Sequence, residues 1–231
     1  MAFGAVKGTL SGTGAAIAAN NDATGSVSVA VGDLLVCVFG ERTTMSVTGV
    51  TDNLGHTYTA GTGIDGGNGT GKVFWKIATS SGTLTTMTGA AVGGSGDDYS
   101  IVGAVYEGPF AASPLDQNPA ANSDTVTPYV CTSSGTLAQA DELVLAWMCA
   151  GNGFTGAACS GLTVDKQDGT GTGSGSHAAA LASVVVSATT AIVPSWTVGA
   201  GNGGHALGVI TFKKLIGGGG VVTRSFGFII G

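Results

Sequence analysis

The chain has 231 residues, of which 42 are Gly; 43% are hydrophobic, only 10% are charged, and the net charge is −6. The apolar fraction is that of a chain that folds, not of a disordered tail. The lack of a Gly-X-Y period with only 5 Pro excludes collagen, and no apolar run reaches the roughly 18 residues of a spanning helix.

The charge count of 8 basic and 14 acidic residues, with no basic cluster, also argues against a nucleic-acid partner. A folded monomer of this mass exposes roughly 9,000 Å², so charges fall about one per 400 Å². Cover that sparse suits a surface coated by Thr, Ser and Gly or spent on contact with other subunits.

From the start of the chain, MAFGAVKGTLSG lacks a basic segment followed by an apolar one, so export by a secretory signal is not expected. Behind it, short β-prone runs punctuated by Gly, Asn and Asp continue to the end, with no sustained 3.6-residue period. Strands are predicted over 26–30, 34–39, 46–51, 56–60, 72–79, 83–89 and 99–106, then over 143–150, 162–167, 178–187, 195–198 and 206–213. Asp52-Asn53-Leu54-Gly55, Asp65 to Gly69, Asn152-Gly153, Asp168-Gly169 and Asn202-Gly203 supply the positive-φ residues of tight hairpins.

The two halves repeat one plan. Asp33-Leu34-Leu35-Val36 aligns with Asp141-Glu142-Leu143-Val144 at an offset of 108, and 99–106 aligns with 205–212 at 106. The expected fold is all-β: a jelly-roll-like β-sandwich of two pseudo-repeated Greek-key halves, about 26–108 and 124–213, in a single domain of residues 1–215. Between the halves, residues 108–119 hold three of the five prolines and read as a crossover that cannot be a central strand.

The C-terminus, 216–231, is a Gly tether followed by an apolar, β-prone segment. Exposed, Val221, Val222, Phe226, Phe228, Ile229 and Ile230 would aggregate. They either return to the chain's own sheet or add as a strand to a neighbouring subunit; the four glycines span at most roughly 14 Å.

Chemistry is sparse. Cys37, Cys131, Cys149 and Cys159 lack metal-ligand spacing and read as buried reduced thiols. His56, His177 and His205 are scattered and read as loop or surface residues. Gly93 to Asp98 fits one unit of a calcium turn that works only in stacked repeats. The adjacent acids Asp97-Asp98 and Asp141-Glu142 are poorly placed for a glycosidase pair. Trp75, Trp147 and Trp196 alternate with apolar neighbours and point to the core, while Tyr58, Tyr99 and Tyr129 are the expected exposed aromatics. No catalytic residue, cofactor or metal is assigned, and the chain does not read as an enzyme.

The phrases VGDLLVCVF, SVTGVTDNLGHTYT, VFWKIATSSGTLTTMT, YSIVGAVYEGP, SPLDQNPAA and ADELVLAW resemble a group of Gly/Thr-rich β proteins found among bacteriophage structural genes. The resemblance covers roughly 26–150, with an echo to 213, and the same signature also occurs in bacterial surface proteins. It implies a virion structural protein, such as a capsid decoration or cement protein made in the host cytoplasm. Its partners would be copies of itself, possibly as a trimer, and the major capsid protein. A receptor- or glycan-binding tail-fibre module and a bacterial surface adhesin domain are the alternatives. The segment VVTRSFGFIIG lies outside the resemblance.

Overall fold

The computed structural model describes residues 2–14, 18, 20–42, 46–65, 69–91, 98–123, 127–172, 176–200 and 204–216. Within them the strands are β1 (Val6–Gly14), β2 (Asn20–Val29), β3 (Leu34–Glu41), β4 (Val47–Asp52), β5 (Thr59–Ile64), β6 (Thr70–Ile77), β7 (Gly82–Ala91), β8 (Tyr99–Tyr106), β9 (Phe110–Leu115) and β10 (Ala120–Ser123). They continue as β11 (Tyr129–Val130), β12 (Glu142–Ala150), β13 (Ala158–Cys159), β14 (Thr163–Gly169), β15 (Ala178–Val186), β16 (Ser195–Thr197) and β17 (His205–Lys214). The chain is all-β, and its antiparallel sheets form a sandwich that is nearly a barrel in the first half.

The first half forms one eight-stranded sheet, β4-β7-β2-β1-β8-β3-β6-β5. It curls until its ends meet, where the Tyr58 N–H donates to the Val50 carbonyl and Thr51 bridges Thr57. The second half has a sheet β10-β17-β12-β15-β14 and a three-stranded sheet β11-β16-β13. The two orders coincide strand for strand: β1-β8-β3-β6-β5 with β10-β17-β12-β15-β14, and β2-β7-β4 with β11-β16-β13. The jelly-roll wrapping is therefore completed inside each half.

Three cores result. Leu35, Cys37, Phe39, Phe74, Leu84 and Met87 fill the first half, and Val144, Ala146, Met148, Phe154, Trp196 and Val209 fill the second. Between the halves, Leu34, Val36 and Val38 meet Leu143, Leu145 and Trp147. Strands β3 and β12 are buried along their whole length because each has a core on both faces. Their sequences read as unbroken apolar runs for the same reason.

The repeat register differs by one from the sequence alignment. Leu34 lies opposite Tyr106 and Ile77, while Leu143 lies opposite Phe212 and Val185. Leu34 thus corresponds to Leu143, an offset of 109 in place of the 108 that the Asp-Leu-Leu-Val match suggested. The turns agree: Gly32 (φ 93°) and Asp141 (φ 58°) precede the strands. Next to them, the Asp33 carboxylate accepts the Ala30 N–H and Glu142 accepts the Gln139 N–H. One residue of slip exchanges the faces of a strand, and face, not residue identity, is what the fold preserves.

Other segments depart from expectation. β1 has few apolar residues and carries no strand signal in the sequence; Gly8 and Gly12 leave room for Val27 and for the Asp22 carbonyl of β2. Residues 56–58 belong to a turn, with β5 beginning at Thr59. Asp168-Gly169 lies inside β14 and not at a hairpin tip. The joint is not a free crossover, since β9 and β10 pair in succession along the outer edge of β17. Pro114 sits in this edge strand, where a missing N–H is tolerated.

Candidate functional site

The best-organised polar cluster is in the β4–β5 turn. Gly55 takes φ 83°, and the Asp52 carboxylate organises the loop: Oδ1 accepts the N–H groups of Leu54 (2.9 Å) and His56 (3.1 Å). Its Oδ2 accepts His56 Nδ1–H (2.9 Å) and the Tyr58 hydroxyl (3.0 Å). With Nδ1 protonated, Nε2 of His56 is an acceptor. Facing it are Ser80 Oγ at 3.0 Å and the N–H groups of Thr79 (3.2 Å) and Ser80 (3.3 Å).

Carboxylate, imidazole and hydroxyl stand in the order of an acyl-transfer triad. Their surroundings give them another task. Two main-chain N–H groups already donate to Nε2, so its lone pair is not free to take the Ser80 proton. The Ser80 hydroxyl also lies 3.2 Å from the Leu54 carbonyl, an alternative acceptor within its own latch. Burial, then the Asp52 carboxylate, pushes the Tyr58 phenol up and keeps it a donor. The cluster pins the β4–β5 turn to the β6–β7 turn. In the second half the corresponding turn closes through the Leu162 N–H on the Cys159 carbonyl, with Gly161 at φ 76°.

A second cluster lies between the halves. Asp165, the bulged residue of β14, accepts the Tyr106 hydroxyl at 2.7 Å and the Ser183 hydroxyl at 2.9 Å. Burial raises the Asp165 carboxyl, while its two donors pull it back down. At the near end of the sandwich Lys7 pairs with buried Asp33 at 2.6 Å and with Glu107 at 3.6 Å.

The histidines are not surface residues: His56, His177 and His205 are all buried. Burial lowers His177 to about 3, so it is neutral, and His205 stacks on Tyr129 with ring centroids 3.8 Å apart. Tyr58 and Tyr129 are likewise buried and Tyr99 is half-buried, against the exposure expected of them. Trp147 and Trp196 are fully buried, and Trp75 packs at the edge of the inter-half core.

All four cysteines are free and buried; burial pushes Cys37, Cys131 and Cys159 up to about 12, so they are protonated and unreactive. Asp98 accepts the Thr170 hydroxyl at 2.8 Å, and Gly93 to Asp97 lie outside the described residues. Of the last acid pair, Glu142 is buried and Asp141 is exposed, 3.5 Å from Lys214.

Val221, Val222, Phe226, Phe228, Ile229 and Ile230, expected either to return to the chain's own sheet or to add to a neighbour, lie outside the described residues. The chain reaches them from a marked position. Leu215 (48% exposed) and Ile216 (66% exposed) follow β17 and border a groove of about 360 Å³ with Gln139, Ala140 and Asp141. Sequence reasoning found the DNLGH turn. It did not find Ser80 or Asp165, which lie 24 residues from His56 and 59 from Tyr106.

No family model, curated protein or solved structure matches this chain.

Proposed function

We propose that the chain is a structural protein of a bacteriophage virion, a capsid decoration or cement subunit that acts by contact and not by catalysis. One observation carries the reading. The sandwich ends in exposed Leu215 and Ile216 directly before a four-glycine tether and an apolar segment that needs cover. A neighbouring copy or shell protein supplies that cover by accepting residues 221–231 as an added strand.

Two further features agree. The carboxylate–imidazole–hydroxyl cluster is spent on holding a turn, and the thiols are protonated and buried. Jelly rolls recur in capsid and lectin domains, which is an analogy of fold alone. The glycan-binding alternative loses two of its three expected exposed aromatics, because Tyr58 and Tyr129 are inside.

The test is to purify particles from the source of the gene and count copies of this chain per particle. Many copies are expected; absence from the particle refutes the proposal. Removal of 217–231 is expected to leave a folded chain that no longer assembles. Loss of folding would show that the segment belongs to the chain's own core.

A further inference from the structure

The face between the halves obeys an exchange rule. With β1 matched to β10, β3 to β12, β5 to β14, β6 to β15 and β8 to β17, each main packing across the face has its reciprocal among the described residues. β1 lies on β14 and β10 on β5; β8 lies on β14 and β17 on β5. β8 lies on β15 and β17 on β6; β3 lies on β15 and β12 on β6; and β3 lies on its own counterpart, β12. Reciprocity of this kind is the property of an isologous, two-fold interface.

The register locates the axis. At the 109 offset Gly40 corresponds to Cys149, and the two touch: a Cβ on Gly40 would stand 2.8 Å from Cys149 Sγ. A residue meets its own counterpart only on a dyad, so the axis runs beside β3 and β12.

Away from the axis, Trp75 corresponds to Ser183 and Tyr106 to Phe212, by their partners across β3 and β12. Trp75 packs edge-on against Phe212 with centroids 5.4 Å apart. The reciprocal position holds Ser183, Tyr106 and Asp165 in a hydrogen-bonded set. Even the bulges correspond, one after Ala60 in β5 and one after Val164 in β14.

We propose that the outer face of the first half is a self-recognition surface, and that the unit β1–β8 pairs with a second copy of itself about this same axis. The chain is then two such units fused. The first unit is complete without the second: its interior core runs from Leu10 to Val105 and all eight strands of its sheet are its own. Its outer face, with Leu34, Val36, Val38, Val73, Val102 and Ala104, is apolar and needs cover. The partner that fits is one with the same twist, the same bulge and the same apolar stripe.

The test uses residues 1–108. A mass of twice the monomer in light scattering is expected, falling to the monomer on dilution. Gly40→Cys in this unit brings two thiols together across the axis, so mild oxidation gives a disulfide-linked dimer. Thr57→Cys, exposed on the β4–β5 turn, gives none. In the full chain, cleavage at a protease site inserted at Gly108 is expected to leave the halves eluting together. A monomeric or unfolded 1–108, equal cross-linking at positions 40 and 57, or halves that part on cleavage would each overturn the proposal.

Discussion

Tyr106→Phe tests the polar lock between the halves with the smallest perturbation available. Tyr106 is fully buried, and Phe already occupies the dyad-related position as Phe212, so the ring is expected to fit and only the hydroxyl is lost. That hydroxyl donates to Asp165 at 2.7 Å, and the carboxylate keeps only Ser183 as a side-chain donor. A hydrogen bond to a charged group contributes about 1.5–3 kcal/mol. At about 2–4 °C per kcal/mol for a chain of this size, the midpoint should fall by about 3–12 °C at pH 7.

The pH dependence gives the experiment its specificity. Burial holds the folded-state pKa of Asp165 above its unfolded value, so the folded state binds the proton more tightly. Stability therefore declines as pH rises from the unfolded pKa, near 3.9, through the folded one, and is level above it. Loss of a donor raises the folded pKa further and widens that window. The gap between wild type and variant should be largest at neutral pH and narrow as pH falls through the two folded-state values, both of which lie above the unfolded one. Differential scanning calorimetry from pH 3.5 to 7.5 would measure it. An equal loss at every pH, or no loss, refutes the assignment of Asp165 as a buried carboxylate held by Tyr106.

His56→Ala removes the centre of the turn latch and strands the Thr79 and Ser80 N–H groups; a loss of about 2–3 kcal/mol in urea unfolding is expected. A fluorophosphonate probe should leave Ser80 of the wild-type chain unlabelled, and labelling would show that Nε2 is free to act as a base. Gly208→Ala places a Cβ against the Trp147 indole, in a core with no slack. Overpacking of this kind costs about 1–3 kcal/mol, and pairing it with Trp147→Leu should recover part of the loss in a double-mutant thermal series.

Much of the fold was legible in order of strength of signal. The runs LLVCVF and LVLAWMC announced the two central strands, and the turns DNLG and NG placed residues of the kind the structure uses, with Gly55 and Gly153 at positive φ. β1 was illegible because its Thr, Ser and Gly earn their place by close approach to β2, not by burial of large side chains. The histidines looked like loop residues for the same local reason, since His56 does follow a turn. What buries it is the β6–β7 turn, brought over it from 24 residues away.

The sequence by itself determined that the chain is all-β, that Asp52 to Gly55 and Asn152-Gly153 are turns, that the two halves are built alike, and that an apolar segment follows a glycine tether. Only the tertiary structure decided which face of β3 and β12 looks inward, because a single residue of register exchanges the faces while leaving the apolar run unchanged. It also decided that the wrapping closes within each half, and that Asp165 meets Tyr106 across the face between them. Strand pairing and sheet packing join residues far apart in the chain, and periodicity along the chain carries no record of those distances.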